Sequence, residues 1–138
     1  DNLGVVEKYQ VDGWFVSLGS MIQYVNEPNI KAYNLTSVRS VFTGGELTLP
    51  SVVDSFVTQV LGGDVSLEVI YGNTECGLLT SILVKEDVGN LQLGICGQVK
   101  PGVELKILNE EREVVSPWCV GELWIKSISI TPGYWCRP

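Results

Sequence analysis

The sequence predicts an α/β fold, a sheet flanked by helices and followed by a β-rich, barrel-like segment. Three observations carry that expectation. Apolar residues alternate between helix and strand spacing over about residues 1–98. Glycine pairs at Gly44-Gly45 and Gly62-Gly63 punctuate these stretches. From about 99 to 138 the spacing becomes that of strands, with the acidic pair Glu110-Glu111 as a turn.

The elements follow in order. Leu3 to Tyr9 carries apolar residues at 3, 5, 6 and 9, a short helical stripe. Trp14-Phe15-Val16 reads as a buried strand, and Ser20 to Val25 as a second helix ended by Pro28. Ser37 to Phe42 alternates like a strand and runs into Thr43-Gly44-Gly45. A longer helix is expected over Leu49 to Leu61, because Val52, Val53, Phe56, Val57, Val60 and Leu61 form one face. Thr48 or Ser51 would cap it, and Gly62-Gly63 would supply a left-handed stop. Ser66 to Tyr71 and Leu78 to Val84 are strands, Lys85 to Gln92 a loop, and Val103 to Leu108 and Val120 to Lys126 strands again.

Composition narrows the function classes. The 138 residues suffice for one domain with a hydrophobic core. Nine basic against sixteen acidic residues give a net charge of −7, without a Lys/Arg cluster, so a nucleic-acid partner is not expected. No apolar run has the length of a transmembrane span. The absence of histidine removes His-assisted nucleophilic catalysis. Cys76, Cys96, Cys119 and Cys136 are too widely spaced for a zinc site and read as reduced thiols. The chain opens on Asp1, and its one methionine, Met21, lies inside a helical stretch, so the expectation is a slice of a larger protein.

Chemistry concentrates in two stretches. Gly44, Gly45, Glu46 and Leu47 lie where a strand gives way to a helix, the end of an α/β sheet at which ligands collect. Paired glycines there let backbone approach a flat ligand, although a plain strand–helix turn reads the same way. The run Ile70-Tyr71-Gly72-Asn73-Thr74-Glu75-Cys76-Gly77 follows the next strand. Tyr71 offers a face for a purine, Gly72 close approach and Thr74 a hydroxyl for phosphate, while Glu75 offers hard oxygens for Mg²⁺. A solvated loop is the plainer alternative. Gly121 to Ile125 and Thr131-Pro132-Gly133-Tyr134-Trp135 read first as a strand, a turn and core-packing aromatics.

Taken together, S-V-R-S-V-F-T-G-G-E-L, I-Y-G-N-T-E-C-G, G-Q-V-K-P-G-V-E-L-K-I-L, G-E-L-W-I and P-G-Y-W-C-R-P resemble the adenylate-forming superfamily. That group comprises acyl-CoA synthetases, luciferases and peptide-synthetase adenylation domains, and the leading part is most similar to the coumarate–CoA ligase and fatty-acyl–CoA ligase branch. The resemblance implies that residues 1–138 are a partial AMP-binding domain, the central part of the family's large N-terminal domain. It implies an ATP site in which Tyr71, Gly72, Asn73 and Thr74 contact nucleotide, Gly44, Gly45, Glu46 and Leu47 line the adenine and acyl pocket, and Glu75 holds Mg²⁺. Thr74 and Glu75 would be its catalytic residues. The substrates implied are a small carboxylic acid, ATP (released as AMP) and coenzyme A, in a cytoplasmic or peroxisomal rather than secreted protein. The family's phosphate loop, ribose-binding aspartate and C-terminal lysine domain have no counterpart in this sequence, so these residues alone are expected to be inactive. A truncated non-catalytic paralogue or pseudogene product, an adenylation domain of a peptide synthetase, and an unrelated α/β binding module are the alternatives.

Overall fold

The computed structural model describes residues 2–62, 64–84 and 91–137. The expected part of Gly63 in a helix stop and the loop residues 85–90 lie outside them. Helix α1 (Asn2–Tyr9) leads into β1 (Gly13–Phe15), and α2 (Leu18–Val25) then leads through a 3₁₀ turn at Ile30–Ala32 to β2 (Ser40–Gly44). Helix α3 (Pro50–Ser55) continues as a π-helical turn, Phe56–Leu61, before β3 (Ser66–Asn73). Strands β4 (Gly77–Val84) and β5 (Gln98–Val99) complete a sheet whose spatial order is β1-β2-β3-β4-β5. Pairing is parallel from β1 to β3 and antiparallel from β3 to β5. Strands β6 (Val103–Leu108) and β7 (Glu122–Ser127) form a separate two-stranded antiparallel ribbon, so the β-rich portion is built on one hairpin among the described residues.

The core lies on one face of the sheet. Trp14, Val41, Leu67 and Val84 occupy successive paired positions across β1 to β4 and point to the same side. Met21 and Tyr24 of α2 pack there with Val53, Phe56, Val57 and Val60. Two successive β-α-β crossovers of one hand bring both helices to this face. The rings of Trp14, Tyr24 and Phe56 meet pairwise with centroids 5.4 to 6.4 Å apart. The next row, Phe15, Phe42, Glu68 and Leu83, faces the other way, and Phe15 is 57% exposed there. The expected burial of Trp14-Phe15-Val16 therefore holds for Val16 and fails for Phe15, because neighbours in a strand point to opposite faces.

Two local expectations are corrected. Neither Thr48 nor Ser51 caps α3: Leu49 is its N-cap, without a side-chain hydrogen bond, and Pro50 opens the helix. Proline at the first turn has no N–H to satisfy and fixes φ near its helical value, so the entry needs no hydroxyl. The helix also does not stay α-helical to Leu61, because its second half adopts π hydrogen bonding. Gly62 ends it at φ +81°, the left-handed stop that the sequence predicts. The hydroxyl cap sits on α2 instead, where Ser17 Oγ accepts from the Ser20 N–H at 3.2 Å.

One ion pair crosses the open face. Lys100 Nζ donates to Glu68 Oε1 at 2.6 Å. This bond, helped by the Ser81 hydroxyl, holds the Glu68 carboxyl below its ordinary value of 4.5. A carboxylate with a depressed folded pKa contributes stability above its unfolded value and loses it as pH falls through the folded value. Replacing Lys100 by methionine is expected to cost about 1 kcal/mol near neutral pH. The gap from the unsubstituted chain should close as Glu68 protonates in acid. Urea unfolding midpoints at the two pH extremes check both parts, and a gap that is constant with pH would assign the loss to packing.

Candidate functional site

The parallel strands place the carboxyl ends of β1, β2 and β3 along one edge. Both stretches singled out in the sequence end there. Two clefts flank this edge and share Gly45, Ile70 and Gly72. The first, of about 340 Å³, is lined by Gly45, Glu46, Leu47, Tyr71 and Gly72 together with Leu91, Ile95 and Cys96. The second, of about 570 Å³, is lined by Gly44, Gly45, Gly72, Asn73, Thr74 and Glu75, with Phe15 and Leu78. Every candidate residue therefore lines one of two adjoining clefts, each of a size that small-molecule sites have.

The glycines act first within the protein. A Cβ on Gly44 would collide with the Ile70 carbonyl of the neighbouring strand. One on Gly72 would collide with the Gly77 carbonyl across the hairpin, where the pairing register shifts. Gly45 differs: open space lies where its Cβ would be, and its φ of +85° is what asks for glycine, beside both clefts.

Strand β3 runs two residues further than the sequence indicated, so Gly72 and Asn73 belong to it and Thr74-Glu75-Cys76 form a three-residue hairpin turn. Gly77 follows at φ +70°, the left-handed position that three-residue hairpin loops favour. Asn73 Oδ1 accepts the Cys76 N–H at 2.8 Å, which commits that oxygen to the turn. Tyr71 is 40% exposed toward the first cleft, and Thr74 is exposed beside the second. Glu46 has a structural partner as well: the Leu18 N–H donates to its Oε1 at 3.0 Å, setting a carboxylate at the N-terminus of α2, where the helix dipole favours it.

Glu75 has a partner that the sequence did not predict. The Tyr134 hydroxyl donates to Glu75 Oε1. That bond draws the Glu75 carboxyl below its ordinary value, and the carboxylate in turn raises the Tyr134 phenol. The Thr131 N–H donates to the Glu75 carbonyl at 2.8 Å, and Ser129 Oγ to the Cys76 carbonyl at 2.6 Å. The reading of 131–135 as core aromatics is thus corrected, since Tyr134 is 65% and Trp135 94% exposed. The Leu91 to Cys96 wall was also missed. Its cue was weak, two glycines, Gly94 and Gly97, which take positive φ. The main chain behind this wall is anchored by the Thr80 hydroxyl, which donates to the Cys96 carbonyl.

The donor set fits a phosphate-bound Mg²⁺ better than a metal held by protein alone. Among the described residues no group of three or more His, Cys, Asp or Glu gathers to hold a metal. Glu75 presents one carboxylate whose Oε1 is bonded by a neutral hydroxyl. Mg²⁺ is commonly held by one or two carboxylates plus substrate phosphates, which such a site can supply. All four cysteines are free, and no helix among the described residues is long and apolar enough to cross a membrane.

The family described as AMP-binding enzyme matches residues 1–135. A mitochondrial medium-chain acyl-CoA ligase, ACSF2, of Rattus norvegicus is 28% identical over 85% of this chain and 19% of its own length. The 4-coumarate–CoA ligase-like protein 9 of Arabidopsis thaliana is 31% identical over 94% of this chain and 23% of its own. Among solved structures, the luciferase-like enzyme of the nonluminescent mealworm Zophobas morio superposes with a TM-score of 0.81 at 32% identity, covering 99% of this chain and 32% of that one. The chain thus spans about a fifth of the length of these curated relatives. With the family match running from residue 1 to residue 135, the chain belongs to the adenylate-forming, AMP-binding enzymes.

Proposed function

We propose that this chain is the central part of an ATP-dependent acid–thiol ligase that activates a carboxylic acid as its acyl-adenylate and passes it to coenzyme A. The observation that carries the reading is the meeting of residues 44–47, 71–75 and 91–96 around adjoining clefts at the carboxyl ends of β2 and β3. In this reading the Tyr71 ring stacks on adenine, and Gly45 lets the nucleotide approach the main chain. Thr74 gives its hydroxyl to a phosphate oxygen, and Glu75 holds Mg²⁺. The bound Mg²⁺ supplies charge screening as the acid attacks the α-phosphate and pyrophosphate leaves. The thiol of coenzyme A then takes the acyl group and AMP departs.

No lysine or arginine lines either cleft among the described residues. A triphosphate needs cationic partners for the charge that develops in transfer, and here they have to come from outside these residues. In this reading the segment alone does not catalyse the reaction. The test is ATP–pyrophosphate exchange by the protein at the length of its relatives, with a panel of aliphatic and aromatic acids, followed by addition of coenzyme A. Acid-dependent exchange and thioester formation are expected. Exchange with amino acids and no thioester to coenzyme A would favour a peptide-synthetase adenylation domain, and no exchange at all a non-catalytic relative.

A further inference from the structure

We propose that Tyr134 is a positioning residue for Glu75, fixing the direction of its carboxylate at the mouth of the second cleft; this rests on the reading of Glu75 as the metal-holding residue. Glu75 sits at the tip of a three-residue turn, where a carboxylate free of neighbours would sample several rotamers. The Tyr134 hydroxyl donates to Oε1 and so ties down one of the two carboxylate oxygens. A phenol suits this task in a way that lysine or arginine would not. It donates a hydrogen bond without cancelling the charge that a cation needs.

Tyr134 does not arrive by chance. The segment that carries it is bonded twice more to the same turn, through the Thr131 N–H on the Glu75 carbonyl and Ser129 Oγ on the Cys76 carbonyl. Residues 129 to 134 thus hold two consecutive residues of the turn by backbone and Glu75 by its side chain. Groups that orient a metal's ligand in this manner typically change metal affinity by about 10–100-fold when removed.

The experiment compares the unsubstituted protein, Tyr134→Phe and Glu75→Ala at the length of the relatives. Mn²⁺ is titrated in the presence of ATP by electron paramagnetic resonance, alongside the Mg²⁺ dependence of pyrophosphate exchange and the thermal midpoint. Tyr134→Phe keeps an exposed ring and should fold with an unchanged midpoint. Its half-saturating Mn²⁺ concentration should rise about tenfold, and excess Mg²⁺ should restore the maximal exchange rate. Glu75→Ala should lose both, with no rescue by Mg²⁺. Wild-type Mn²⁺ affinity in Tyr134→Phe, with loss in Glu75→Ala, would overturn the positioning role and leave the metal reading standing. Wild-type affinity in Glu75→Ala would overturn both. A lowered midpoint accompanying the loss in Tyr134→Phe would also overturn the proposal, making Tyr134 a merely structural contact.

Discussion

Alanine at Glu75 is expected to lower Mg²⁺-dependent pyrophosphate exchange by about 100-fold or more in the protein at full family length. The reasoning is electrostatic. Among the described residues lining the second cleft, Glu75 is the one acidic side chain, and no cluster of acidic or sulfur ligands stands ready to replace it. A cation bridging it to phosphates would lose its charged protein ligand and with it a fixed position. Glutamine at the same position keeps the shape and removes the charge, so the two variants should fail alike. Exchange at the unsubstituted rate in either one would remove Glu75 from the metal site.

Alanine at Gly72 is expected to destabilise the fold by about 3 kcal/mol, the scale of enforced strain inside a packed element. The new methyl would drive into the Gly77 carbonyl oxygen and lie 3.1 Å from Leu78 Cα. Both belong to the backbone of the paired strand, so no side chain can swing away to relieve the clash. Gly45 is the internal control. Alanine there meets no atom within 4 Å and carries the cost of positive φ alone, about 1 kcal/mol. Urea unfolding of the two variants separates close approach from conformational strain. Equal losses would show that the hairpin relaxes at its bulge.

Much of this was legible in the sequence because the signals were local. The apolar face over Val52 to Leu61 requires a helix, and Tyr71 to Gly77 requires a sharp turn after a strand. Spacing cannot tell the π turn at Phe56–Leu61 from α-helix, since a stripe of valines tolerates either. Nor could it choose Pro50 over two hydroxyl residues as the feature that starts α3. The candidate site emerged from two segments that each carry their own glycines. What stayed hidden was the partner of Glu75. Fifty-nine residues separate it from Tyr134, and no periodicity spans that distance. An aromatic residue type indicates a ring that is worth burying, whereas here the hydroxyl makes the contact.

The strand order has a further consequence, one of timing. Strands β1 to β5 stand side by side in the order in which they are synthesised. Each can therefore add to an edge that already exists, with no gap waiting for a later strand. Within residues 1–138 the parallel strands and their helices precede the hairpin that carries Glu75, and the segment bearing Tyr134 follows it. Within this stretch the turn is therefore made before the residue that holds its carboxylate, so Glu75 gains its hydroxyl partner only once the strand order beneath it exists.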